Sequence, residues 1–78
     1  MKILAIEIQS PGDVWEVCEI TGDEAMRERL HEMGFTSGKE VKLRGRLPFG
    51  GPLLLEVGNG LVALRQDEAG CLWVERKL

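Results

Sequence analysis

Only one stretch of this chain repeats its apolar residues at a helical period, and that limits the fold more than any other feature. Between Thr21 and Gly34, Met26, Leu30 and Met33 recur at i, i+4 and i+7, while Arg27, Glu28, Arg29, His31 and Glu32 fill the positions between. Elsewhere short segments alternate apolar and polar residues, or run apolar for a few positions, between turns rich in Gly and Pro, which is the signature of strands. A parallel sheet needs a crossover helix between successive strands. One helix cannot serve that purpose, so the strands are expected to meet as antiparallel neighbours.

The elements follow in order. Ser10-Pro11-Gly12-Asp13 is a turn, and a strand from Asp13 to Ile20 sets Trp15 and Val17 on one face and Glu16 on the other. The alternation slips at Cys18, which a bulge there would explain. The helix is expected over about residues 23–34, with Thr21 and Glu24 as a capping box or Asp23 as the cap. Gly34 ends it in the left-handed conformation, Phe35 folds back toward Leu30, and His31 faces solvent. After a turn at Thr36–Lys39, Val41 and Leu43 point inward with Lys42 and Arg44 outward. Leu53, Leu55 and Val57 form a second inward row, and Gly58-Asn59-Gly60 starts a hairpin into Leu61–Arg65. Asp67–Gly70 reads as one helical turn, and Cys71–Glu75 as a last strand with Leu72 and Val74 opposed to Trp73. Strands this short remove their edges by closing on themselves. The expectation is a single domain over 1–78, mainly β: a small SH3-like β-barrel of about five strands with one inserted α-helix. An open antiparallel sheet with the helix on one face is the alternative.

At 78 residues the chain can bury roughly 60% of its unfolded surface, which leaves no room for a deep catalytic cleft. It has one histidine, no P-loop and no serine in a nucleophile setting, so catalysis is not expected. No apolar run approaches the roughly 20 residues that cross a bilayer, and the run in MKILAIEIQS is broken at Glu7 too soon for a secretory signal, so a cytoplasmic protein without membrane insertion is expected. Cys18 and Cys71 belong to no CxxC pair and read as free thiols. A zinc site would need both of them and a carboxylate to converge on His31. A net charge of −3 argues against nucleic acid as a partner. The charge is uneven, however: Glu7–Glu32 holds eight acidic residues against Arg27 and Arg29, and Lys39–Arg46 holds four basic residues against Glu40.

The segment LPFGGPLLLEV joins rigidity to permissiveness. Pro48 and Pro52 fix backbone angles at the ends of a loop, while Gly50 and Gly51 reach conformations closed to other residues, so the chain can turn sharply between strands. Phe49 at its tip is a candidate anchor, since an aromatic on a braced loop loses little entropy on docking. Trp15 and Trp73 compete for that role but are expected to pack in the core.

In order and spacing, PGDVWEVCEI, RERLHEMGF, SGKEV, LPFGGPLLLEV and LVALRQDEAGCLWVE resemble the FeoA family, small accessory proteins of bacterial ferrous-iron transport, over Ser10–Glu75. The likeness extends more distantly to the SH3-like domain of iron-dependent repressors. Leu30, Gly34, Phe35 and Gly38 match the family's helix-to-turn segment. Ser37 stands where proline is usual, and Gly51 where the family often has Asp. The resemblance implies a non-catalytic protein-interaction module that modulates a membrane ferrous-iron transporter by contacting its cytosolic part, which carries a guanine-nucleotide-binding domain. Self-association, if any, would be weak. The residues expected to bind the partner are Pro48, Phe49, Gly50, Gly51 and Pro52, with Lys42, Arg44 and Arg46 steering the encounter. The alternative is a regulatory domain binding Fe(II) or Zn(II) weakly near His31, Glu28, Glu32 or Cys18, with no resident cofactor.

Overall fold

The computed structural model describes residues 1–77. It contains β1 (Lys2–Leu4), a 3-10 turn (Ala5–Glu7), β2 (Val14–Ile20), α1 (Glu24–Glu32), β3 (Glu40–Arg46), β4 (Leu53–Val57), β5 (Gly60–Leu64), α2 (Gln66–Ala69) and β6 (Leu72–Arg76). All ladders are antiparallel, in the spatial order β1-β6-β2-β3-β4-β5. The expected SH3-like architecture is present, with six strands where the sequence pattern marked five. The added one is β1, whose three residues are too few to display an alternation and which pairs Lys2 with Glu75 at the far end of the chain.

Inward rows come from alternation. Val41 and Leu43 on β3, Leu53 and Leu55 on β4, and Leu72 and Val74 on β6 are buried around one core. The expected slip in β2 is a register shift between Val17 and Glu19 against β6. A second shift, between Leu43 and Gly45, bends β3 against β4 and has no counterpart in the sequence pattern. Among the described residues, hydrogen-bonded pairing stops at β1 and β5. Closure there is by packing: the 3-10 turn after β1 rests on α2 after β5, and Ala5, Ile8 and Ala69 are fully buried.

Helix α1 is short, and both its ends are satisfied locally. The Asp23 carboxylate accepts from the Met26 N–H at 2.8 Å, so Asp23 and not Thr21 is the cap. At the other end Gly34 (φ 102°) donates to the His31 carbonyl and Phe35 to the Leu30 carbonyl, both at 3.0 Å. This is a Schellman motif. It turns Phe35 back beside Leu30, and both are fully buried, each contributing about 2–3 kcal/mol by leaving water.

Candidate functional site

The loop between β3 and β4 is closed by two hydrogen bonds. Leu47 N–H donates to the Pro52 carbonyl at 3.0 Å, and Gly51 N–H to the Pro48 carbonyl at 3.2 Å. Phe49 (φ 61°) and Gly50 (φ 71°) are the central residues of the inner turn. Positive φ at both positions is the type I′ geometry, normally filled by Asn or Gly. The two adjacent glycines therefore work differently from expectation. Gly50 supplies conformational freedom, but Gly51 supplies space: a Cβ there would stand 3.0 Å from Leu47 Cβ and 3.1 Å from the Pro48 oxygen. The second strained position falls on Phe49.

Phe49 is also the most exposed large apolar residue among the described residues, at 102% of its reference area, and Leu47 beside it is 45% exposed. The loop thus holds an aromatic ring in solvent on a backbone that is unfavourable for it. Trp15 and Trp73 are half-buried, and Trp15 packs against the core. Its indole N–H is buried without an acceptor among the described residues.

The basic residues expected to accompany the loop lie apart from its tip, and two of them, Arg44 and Arg46, are engaged within the chain. Arg46 donates to the carbonyls of Ile6 and Ile8, tying the end of β3 to the segment after β1. Arg44 pairs with Glu56 at 2.6 Å, and Lys42 stands opposite Glu56 in the ladder. Arg44 and Glu56 line an open hollow of about 510 Å³ with Gly58, Asn59, Gly60 and Leu61. That hollow sits at the hairpin end of β4, whereas the Phe49 loop leads into its start. The predicted residues therefore form two places, an apolar loop tip and a strand face where Arg44 is paired with Glu56.

The residues considered for a metal fare differently again. His31 is exposed, and it lines a smaller hollow with Cys18, Glu19 and Arg27. The guanidinium of Arg27 is a poor neighbour for a cation. Burial pushes the Cys18 thiol up, with Glu75 and Glu19 adding to the effect and Lys2 opposing it. Among the described residues no three His, Cys, Asp or Glu side chains gather as metal ligands. Cys18 and Cys71 are free thiols.

Comparison with known proteins gives a consistent picture. A profile of the FeoA domain matches residues 9–76. An iron uptake regulatory protein (FeoA), solved by crystallography, is 28% identical, with 99% of each chain covered and a TM-score of 0.86. An FeoA-like protein from Clostridium acetobutylicum, solved by NMR, is 27% identical over 99% of this chain and 88% of its own, with a TM-score of 0.87. A manganese-dependent transcriptional repressor shares the fold at 18% identity, over 97% of this chain and 42% of its own, with a TM-score of 0.87. No curated protein matches in sequence.

Proposed function

The chain belongs to the FeoA family, and from that premise we propose that it is an accessory protein of ferrous-iron uptake that acts by docking its Leu47–Pro52 loop onto a protein partner. The single observation behind this reading is Phe49: a fully exposed ring held at positive φ. Folding alone gives no reason to keep such a residue. Backbone strain maintained in the absence of burial points to a contact made with another molecule. The partner implied by the family's association with ferrous-iron transport is the cytosolic part of the membrane transporter, including its guanine-nucleotide-binding domain. Docking of this kind needs no reacting groups, in keeping with a non-enzymatic family. The likeness to the repressor is one of fold, so the metal-responsive alternative gains no support from it.

Titration calorimetry against that cytosolic domain, with and without guanine nucleotide, tests the proposal. The wild-type chain is expected to bind, and Phe49→Ala to weaken binding by about 2 kcal/mol, the loss typical of an aromatic anchor. Arg44→Glu, which would set two carboxylates side by side with Glu56, probes the strand face separately. Equal affinity of Phe49→Ala and wild type would remove the loop from the interface. Absence of binding in every nucleotide state would remove the partner.

A further inference from the structure

We propose that β5 is a self-association edge, at which two copies of this chain pair their Gly60–Leu64 strands antiparallel about a twofold axis through Val62. The sheet has two ends, and they are built differently. At β1 the strand is three residues long, begins with Lys2, and has its Leu4 N–H taken by the Glu7 carboxylate at 2.8 Å. Shortness, charge and a local acceptor are ways in which proteins keep an exposed edge from pairing. At β5 the sequence GLVAL has no charge and no proline. Its ladder with β4 runs unbroken from Leu53–Leu64 to Val57–Gly60, whereas β2–β6 and β3–β4 each contain a register shift.

The edge is open to a partner. A two-residue loop closes on a hydrogen-bonded pair, so Gly60, Val62 and Leu64 direct their backbone groups to β4, and Leu61 and Ala63 turn theirs outward. No backbone hydrogen bond to these residues comes from outside the ladder among the described residues. Leu61 is 61% exposed and Ala63 is exposed.

Self-complementarity selects a second copy as the occupant. With the axis through Val62, Leu61 meets Ala63 of the other copy and Gly60 meets Leu64, so every paired position is uncharged. The next position outward sets Asn59 against Arg65, and no like charges face each other. Such a register allows one patch to serve both sides, as a twofold interface requires. A strip of five residues a side is small beside the about 1,200 Å² of a stable interface, so the dimer is expected to be weak, with a Kd of about 100 µM to 1 mM.

Amide NMR spectra and sedimentation velocity of the full chain, from about 20 µM to about 1 mM, test the inference. Leu61 and Ala63 amides are expected to shift with concentration and to exchange more slowly with solvent, as the sedimentation coefficient rises toward that of a dimer. Ala63→Lys changes an exposed side chain and is expected to lower the association constant at least tenfold while leaving the rest of the spectrum in place. Leu61→Lys is expected to act similarly from the other half of the pair. The proposal is overturned if these amides stay fixed across the range, if the shifts centre on β1 or the Phe49 loop, or if Ala63→Lys dimerises like wild type.

Discussion

Phe49 occupies a backbone conformation that costs a bulky L-residue about 1–2 kcal/mol, and with its ring in solvent it recovers nothing by packing. Stability and binding should therefore respond to it with opposite signs. Phe49→Asn would create Asn-Gly at the type I′ turn; urea denaturation is expected to show a gain of about 1 kcal/mol, and calorimetry a loss of partner binding. A variant both less stable and fully able to bind would contradict the account. The sequence marks this loop clearly, because Pro48 and Pro52 bracket a glycine pair, yet it cannot say which residues take positive φ. Gly51 looks like the obvious one and is glycine for lack of space instead. Arg46 is a comparable case. On a basic strand it reads as a surface charge, and its acceptors, the Ile6 and Ile8 carbonyls, lie about 40 residues away in sequence where no local pattern connects them.

Among the elements, α1 is the one most readable in advance, since its cap, apolar stripe and Schellman ending are all local signals. A helix of nine residues is nonetheless marginal by itself and depends on what it touches. Part of that support comes from Glu68 on α2, whose carboxylate is buried, accepts from the Arg65 N–H at 2.8 Å and faces Arg29 of α1 at 3.3 Å. Glu68→Ala leaves the Arg65 N–H without its acceptor and is expected to cost about 1–3 kcal/mol in chemical denaturation. Glu68→Gln keeps an acceptor there and is expected to cost less, the Arg29 side being half exposed. A neutral Glu68→Ala would mean that the two helices are coupled by packing alone. The β1 strand was unreadable for the opposite reason from α1: its partner, β6, is the most distant segment in the chain. The bulge at Cys18 was readable because it interrupts an alternation, and the one at Gly45 was not, because a single glycine among Arg44 and Arg46 interrupts nothing visible.

At the scale of the whole molecule, charge pairs join segments the chain keeps apart. Lys77, just past β6, donates to Glu40 at the start of β3 and lies near Glu16 of β2. The hydrogen bond and charge of Lys77 hold the Glu40 carboxyl below the usual carboxylate range, and Glu40 in turn raises Lys77. The Glu40 contribution is complete above the ordinary carboxylate pKa and disappears as pH falls through its lowered value; that of Lys77 is complete below the ordinary lysine pKa and disappears as pH rises through its raised value. Thermal melts of wild type and Glu40→Gln should therefore differ slightly at neutral pH and converge in acid. A gap that widens on acidification would refute the assignment. The strand order has one more consequence, for synthesis. β6, the latest made of the six strands, inserts between β1 and β2, the two made first. While the chain emerges from a ribosome, β2 through β5 can already zip into a meander, but β1 has no neighbour to hold. Until β6 follows, the nascent sheet must wait with four of its six strands zipped together and its first strand idle.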